Sequence, residues 1–331
     1  MQPIFEIAGH VIHPGESQTI QLPFVTLYTQ TPLNIPINVI HGKKKGPKLL
    51  VIATIHGDEL NGLEIIRRLL KYRGLHFLRG TLITIPIANI FGFLNLSRYL
   101  PDRRDLNRSF PGSKTGSLAA RLANLLMEEV VQKCTHGIDL HTGSLQRTNF
   151  PQIRVDLETP GAEELAKAFE APIIIDAKLR DGSLREAAAA LKMPFLVYEG
   201  GEALRFDDLT IRVGIRGILN ILRKLEMLPK KYITRNKPIK PTIAYSDSWV
   251  RAPESGIVGA YKNLGDAIIK DEIMGVITDP FAQNETQILA PFDGLIIGRN
   301  NLPLVNEGDA LFHVAQFSEL EKVSSQVDKL Q

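Results

Sequence analysis

Four short stretches of this chain put chemically capable side chains near the ends of apolar strands or in the loops between them. The first, His56-Gly57-Asp58-Glu59, follows the apolar run Leu49 to Ile55 and leads into a helix. A turn there presents an imidazole and a carboxylate, three residues apart, to one side, which is a two-ligand start for a zinc site. A capping acid beside a satisfied histidine would give the same pattern, so this stretch alone decides nothing. The second is Asp139-Leu140-His141-Thr142-Gly143, again closing a short apolar strand. Joined to the first, it completes His, Glu and His, the three protein ligands of a catalytic zinc that keeps a fourth position for water. The third is Glu199, in Tyr198-Glu199-Gly200-Gly201. A carboxylate that ends an apolar strand before two glycines is a poor core residue and a suitable general base. The fourth is Asp105-Leu106-Asn107-Arg108-Ser109-Phe110-Pro111-Gly112, where an amide beside a planar guanidinium suits the holding of a carboxylate. Upstream of it, Arg98 is available to polarise a carbonyl oxygen.

These stretches need a framework, and the first two-thirds of the chain supplies one by alternating strand-like and helix-like segments. Residues 49–55, 81–87, 172–176 and 195–201 read as strands, as does a short segment ending at His141. Leu60, Leu63, Ile66 and Leu70 at helical spacing predict a helix over 59–73, stopped by Gly74. Further helices are expected over about 117–133 and 208–227. Thr159-Pro160 is expected to open another as N-cap and first helical residue. Ser183 and Glu186 form a capping box before the alanines 187–190, and Pro194 closes that helix. Such alternation implies a sheet covered by helices on both faces.

After residue 228 the composition changes. Residues 229–241 carry three prolines and five Lys/Arg and read as a linker. Beyond it, Ala252-Pro253-Glu254-Ser255-Gly256-Ile257-Val258 is echoed by Ala290-Pro291-Phe292-Asp293-Gly294-Leu295-Ile296. Gly265-Asp266-Ala267-Ile268 is likewise echoed by Gly308-Asp309-Ala310-Leu311. Two copies of a strand-rich unit predict a small β module built from paired halves. Residues 317–331 are polar, with weak helical periodicity, and are expected to pack loosely.

Bulk properties narrow the function classes. A length of 331 residues suggests two domains. The 39 basic and 36 acidic residues leave a net charge of +3, without the basic excess of a nucleic-acid binder. Lys43-Lys44-Lys45 reads as a solvated turn. The single cysteine, Cys134, cannot form an intrachain disulfide and reads as a small buried hydrophobe near a helix end. No apolar run approaches the ~20 residues that span a bilayer, and the N-terminus lacks a signal-peptide pattern. A cytoplasmic protein with no membrane or nucleic-acid partner is expected. His10, His13, His41, His76, His136 and His313 read as satisfied or solvated histidines.

Taken in order, His56-x-x-Glu59, Asp105-x-Asn107-Arg108, His141 and Glu199 resemble the succinylglutamate desuccinylase/aspartoacylase family, a branch of the zinc carboxypeptidase fold. The resemblance covers roughly residues 25–228. The C-terminal repeat is similar to the β module of N-acetyl-diaminobutyrate deacetylase-like members. The resemblance implies a zinc carboxypeptidase-like α/β domain over 1–235, with a mixed, mainly parallel sheet flanked by helices and N-terminal strands before it. A small all-β, barrel-sandwich-like domain over 242–316 and a tail over 317–331 complete the expected chain. It also implies one Zn2+ per chain, held by His56, Glu59 and His141, with Glu199 as general base and then acid. Arg98 matches the oxyanion-stabilising arginine, Asn107 and Arg108 the carboxylate clamp, and Asp105 the hydrogen-bond partner that fixes His56. Arg154, in Pro151-Gln152-Ile153-Arg154, is a further substrate contact.

The implied reaction is hydrolysis of the amide of a small-molecule N-acyl amino acid or N-acyl diamino acid. Two other readings stay open, a metallocarboxypeptidase acting on peptides and a non-catalytic metal-binding or interaction protein. The repeat also resembles lipoyl and biotinyl carriers, but the connection Thr278–Glu285 holds no lysine to modify. The module is expected to cap the cleft or to make a subunit contact in a homo-oligomer.

Overall fold

The computed structural model describes residues 2–144, 146–230 and 239–330, so most of the expected linker, residues 231–238, lies outside the described residues. A hairpin of β1 (Phe5–Ile7) and β2 (His10–Ile12) precedes the long antiparallel pair β3 (Ser17–Thr26) and β4 (Pro32–His41). There follow β5 (Lys44–Ala53), α1 (Asn61–Leu69), β6 (Arg79–Ile85), α2 (Ile90–Leu94), α3 (Leu118–Glu129), β7 (His136–Gly143) and β8 (Arg147–Val155). Next come α4 (Ala162–Phe169), β9 (Ile173–Asp176), α5 (Leu184–Ala190), β10 (Phe195–Glu202) and α6 (Asp208–Lys224). The strands form one mixed sheet in the order β3-β4-β6-β5-β7-β10-β8. Its centre, β6-β5-β7-β10, is parallel, and β8 runs antiparallel to β10.

Layering follows from the alternation of side chains along β5. Leu50 and Ile52 point into a core shared with Leu122 and Leu126 of α3. Leu49, Val51 and Ala53 point the other way, against Ile66 of α1 and Ile218 and Ile221 of α6. A strand buried on both faces has to be apolar at every position, and residues 49–53 are fully buried. The strand starts earlier than its apolar run because Lys44 and Lys48 still pair with β6, and their side chains reach solvent.

Helix starts largely follow the capping chemistry. Ser117 accepts from Ala120 N–H, Ser183 from Glu186 N–H and Asp207 from Thr210 N–H. Thr159 is an exception. Helix α4 begins after Gly161, whose φ of 79° breaks the helical path. The Thr159 hydroxyl instead donates to Asp156, and its carbonyl accepts Ala162 N–H in the preceding turn.

The C-terminal region contains β11 (Thr242–Ala244), β12 (Ser246–Arg251), β13 (Gly256–Ala260), β14 (Ala267–Ile268) and β15 (Ile273–Thr278). It continues with β16 (Glu285–Leu289), β17 (Gly294–Asn300), β18 (Leu304–Val305), β19 (Ala310–Gln316) and α7 (Leu320–Asp328). Two antiparallel layers, β12-β19-β17 and β16-β15-β13-β18, enclose Ile268, Met274, Ile277, Ile296 and Val314. The sequence repeat is interleaved, with β14 of the first copy on β17 of the second and β18 of the second on β13 of the first. Strand β11 pairs in parallel with β9, and β17 pairs antiparallel with β8 through Gly298↔Asn149 and Asn300↔Arg147. The large sheet therefore runs unbroken from one region into the other. The tail packs more firmly than its polarity suggests, because Val323 and Val327, one helical turn apart on α7, are fully buried against Phe150, Leu295 and Phe317. No helix among the described residues is long and apolar enough to cross a membrane.

Candidate active site

The first pair of candidate ligands is delivered by a strained turn. Thr54, immediately after β5, has φ of 57°, a left-handed conformation that β-branched residues rarely adopt. Its hydroxyl donates to the Pro86 carbonyl at 2.9 Å, which helps to hold the bend. Gly57 then lies so close to α2 that a Cβ there would stand 1.8 Å from the Gly92 carbonyl carbon. Only glycine lets the turn approach this closely. Glu59 N–H bonds back to the His56 carbonyl at 3.1 Å, closing the turn with both side chains on one side.

His141 reaches the same point from β7. His56 Nδ1 is 2.7 Å from Glu59 Oε1, and His141 Nδ1 is 2.7 Å from Glu59 Oε2. The donor atoms of these three buried residues lie within 4.8 Å of one another. Each ring is fixed from behind: His56 Nε2 lies 3.1 Å from Asp105 Oδ1, and His141 Nε2 lies 2.7 Å from Asp139 Oδ2. Thr142 N–H also donates to Glu59 Oε2 at 3.1 Å.

The chemistry of this donor set fits a divalent cation. When Asp105 and Asp139 accept protons from the two Nε2 atoms, each Nδ1 aims a lone pair at a Glu59 oxygen. Two such contacts at 2.7 Å are stable only with protons or a cation between the atoms. One cation shared by both Nδ1 atoms and Glu59 satisfies all three groups, and carboxylates behind ligating histidines are the usual outer partners of such sites. The protein's own charges point the same way. Burial opposes charge on both rings, but Glu59 and Asp105 raise the pKa of His56, and Asp139 and Glu59 raise that of His141 well above its ordinary value. Burial likewise opposes the charge of Glu59, yet the two histidines hold it far below the usual carboxylate range.

Arg98 sits directly against this cluster. Its Nε and Nη2 fork onto Asp105 Oδ2 at 3.2 and 2.9 Å, and Nη1 lies 3.3 Å from Glu59 Oε1. Asp105 also caps the turn that carries the next two candidates, accepting from Asn107 N–H at 2.8 Å. Asn107 Oδ1 accepts from Leu184 N–H at 2.9 Å, tying this loop to the start of α5, while Arg108 is exposed beside it.

Glu199 lies opposite His141 in the parallel register of β10 and β7. After it the strand bulges, and Gly201 takes φ of 72° with no room for a Cβ beside Asn61. Asn149 Nδ2 donates to Glu199 Oε2 at 2.5 Å, and Arg154 Nε lies 3.3 Å from Glu199 Oε1. Arg154 Nη2 in turn lies 3.5 Å from His313 Nδ1.

All nine candidate residues of the sequence except Asp105, which stands behind His56, line one cleft of about 670 Å3. A separate cavity of about 760 Å3, beside Lys43, Tyr72 and Arg223, holds none of them. The C-terminal region supplies part of the cleft wall through Tyr245 to Trp249 and His313. His313 is indeed satisfied, 2.9 Å from Asp247 Oδ2 and stacked on Trp249 at 4.7 Å, but it is satisfied inside the cleft. Sequence reasoning also missed the part played by Asp139 and Asn149. Asp139 was open to discovery, because residues two apart on a strand share a face with His141. Asn149 gave no such signal, since β8 is too polar to stand out as a strand.

Comparison with known proteins finds relatives of the same fold. A model of the succinylglutamate desuccinylase/aspartoacylase catalytic domain matches residues 45–225. The N-alpha-acetyl-L-2,4-diaminobutyric acid deacetylase of Halomonas elongata is 25% identical over 299 residues, 86% of each chain. The structure of a succinylglutamate desuccinylase/aspartoacylase from Rhodobacter sphaeroides aligns with TM-score 0.80 at 23% identity, covering 91% of this chain and 96% of that one. The product-bound ectoine utilization protein EutE (DoeB) of Ruegeria pomeroyi aligns with TM-score 0.80 at 22% identity, covering 91% and 95%. At these identities the structural likeness shows a shared fold.

Proposed function

We propose, from the premise that the chain belongs to the succinylglutamate desuccinylase/aspartoacylase family, that it is a zinc-dependent cytoplasmic deacylase. It would hydrolyse the amide of a small N-acyl amino acid or N-acyl diamino acid. The observation that carries this reading is the convergence of His56, Glu59 and His141 next to Glu199 in a single cleft.

In this reading His56, Glu59 and His141 hold one Zn2+ per chain. When bound, the ion supplies a Lewis acid and makes water acidic enough to ionise near neutral pH. Glu199, oriented through both oxygens by Asn149 and Arg154, takes a proton from the attacking water and passes it to the leaving amine nitrogen. Arg98, anchored by Asp105, offers Nη1 to the oxygen on which charge develops. Asp105 keeps His56 in one orientation. The Asn107 side-chain carbonyl is committed to Leu184 and its backbone carbonyl accepts from Arg108 Nη1, which leaves the Asn107 NH2 group and the rest of the Arg108 fork to hold the substrate carboxylate. Arg154 adds a cation at the Glu199 end of the cleft. The wall contributed by Tyr245 to Trp249 and His313 supports a small substrate over a peptide.

Metal analysis of the wild type and of His141→Ala, each purified without added metal, tests the reading together with a panel of N-acyl amino acids, N-acetyl-2,4-diaminobutyrate and dipeptides. The expected result is about one zinc per wild-type chain, lost in the variant, and zinc-dependent release of the acyl group. A zinc-loaded wild type inert on every N-acyl compound would overturn it, and one active only on dipeptides would make it a carboxypeptidase.

A further inference from the structure

The Arg154 guanidinium faces Glu199 but is not aimed by it. Arg154 on β8 pairs with Val197 on β10, two residues before Glu199, so both side chains leave the same face of the sheet. Nε lies 3.3 Å from Glu199 Oε1 yet makes no hydrogen bond, so the contact is ionic and does not set the tilt of the planar group. Among the described residues the guanidinium has one hydrogen-bond partner, His313 Nδ1, at 3.5 Å from Nη2. Attraction between two charges lets a guanidinium swing, whereas an acceptor at its far end fixes the plane.

His313 is built to be that acceptor. It is buried on β19, and Asp247 Oδ2 lies 2.9 Å from its Nε2. A carboxylate only accepts, so Nε2 carries the proton and Nδ1 turns a lone pair towards Arg154. Burial lowers the pKa of His313. The hydrogen bond to Asp247 opposes that shift and the Arg154 charge adds to it, so the ring is neutral at pH 7 and keeps its lone pair. Trp249 is the register partner of His313, and the two rings stack 7° from parallel. On its other side His313 pairs with Gly298 of β17, which pairs with Asn149 of β8. A Cβ at Gly298 would stand 3.0 Å from both Asn149 Oδ1 and His313 Cβ. The two groups that bear on Glu199, Asn149 directly and His313 through Arg154, thus flank one bare position in a single row of the continuous sheet.

We propose that His313, backed by Asp247, is a positioning residue for the reaction: it fixes the Arg154 guanidinium, which in turn holds the Glu199 carboxylate towards the attacking water. This rests on the deacylase reading and deepens it, because the C-terminal region then helps to set the geometry of proton transfer as well as walling the cleft.

His313→Phe keeps a ring to stack on Trp249 and removes both nitrogens. In the full-length, zinc-loaded protein kcat is expected to fall about ten- to hundredfold, with KM changed less than about threefold and zinc content unchanged. His313→Asn, whose amide oxygen stands near the place of Nδ1, is expected to recover part of the loss. NMR spectra with isotope-labelled arginine read the contact without turnover, the Arg154 signals being assigned by their loss in Arg154→Lys. Hindered rotation is expected to keep the Arg154 Nη signals distinct in the wild type, and they are expected to merge in His313→Phe. Undiminished kcat in His313→Phe, with or without a raised KM, overturns the proposal, since a residue that only lines the cleft would behave that way. Identical Arg154 signals in wild type and variant overturn it too. Should His313→Phe fail to fold, Asp247→Ala decides: a lower kcat at unchanged KM supports the proposal, and an unchanged kcat sinks it. A wild type inert on every N-acyl compound would defeat the deacylase reading. Merged Arg154 signals in His313→Phe would then still uphold His313 as the residue that fixes Arg154, and unmerged ones would sink it.

Discussion

Glu199 and His141 are register partners on adjacent parallel strands. Partners in such a pair project from the same face of the sheet, so the Glu199 carboxylate stands beside the His141 ring through backbone pairing, with no loop to set the spacing. The remaining orientation comes from Asn149, a residue of the neighbouring antiparallel strand β8.

Replacement of Glu199 by glutamine is expected to lower kcat by about 10^2- to 10^4-fold while metal content stays at the wild-type level. Asn149→Ala, which removes only the donor to Glu199 Oε2, should lower kcat by roughly tenfold. Steady-state kinetics with metal analysis of the same samples checks both. A Glu199→Gln enzyme with undiminished kcat would remove this residue from the mechanism.

In the proposed site Asp139 would act on the metal through His141. Its Oδ2 lies 2.7 Å from His141 Nε2, behind the ring. Asp139→Asn is expected to weaken zinc binding by about 10- to 100-fold without unfolding the protein. Competition with a chromogenic chelator measures this directly. Wild-type affinity in the variant would show that the ring is oriented by packing alone.

Gly57→Ala forces a methyl group into the backbone of Gly92, which has no flexible atom to move aside. Overpacking of this kind costs about 1–3 kcal/mol, and the turn holding His56 and Glu59 must shift. Lower stability and weaker metal retention are expected together, read by denaturant unfolding and by dialysis. Metal retention at the wild-type level would show that the turn and α2 can separate.

Glu64 on α1 supplies a pH test away from the cleft. Hydrogen bonds from Arg67 and Arg68 hold its carboxyl at about 2, against an ordinary value of 4.5. A carboxylate depressed in the folded state contributes stability above its unfolded pKa and loses it as pH falls through the folded one. Glu64→Gln should therefore be less stable than the wild type at pH 7, with a difference that shrinks below pH 4.5 and is gone near pH 2. Because both arginines are about half exposed, the gain is modest and salt should reduce it. Urea unfolding at several pH values decides it, and a difference independent of pH would contradict the ion pairs.

The parts of the site that were legible in the sequence share one property: each announces itself within a few residues. His56 and Glu59 lie three apart after an apolar run, and Glu199 ends one before two glycines. The helices over 118–129 and 208–224 were readable for a related reason, since their apolar spacing and N-caps are local. What could not be read depends on chain segments far apart in sequence. Asn149 and Glu199 are 50 residues apart and meet only when β8 folds against β10. His313 and Asp247 meet across the pairing of β12 with β19. Gly161 shows the reverse error, in which a persuasive local signal at Thr159-Pro160 was overruled by one left-handed residue.

The pairing of β17 with β8 has a consequence for any attempt to trim the protein. Along the flank of β8 away from β10, residues 152–155 are covered by β9 and residues 147–149 by β17. Removing the C-terminal strands would bare the second stretch, leaving backbone donors and acceptors facing water beside Asn149. An exposed strand flank recruits the nearest available partner, which in a concentrated solution is another copy of the same molecule. A shortened chain would thus become sticky at the very strand that orients Glu199, and its loss of activity would reflect self-association as much as a missing wall.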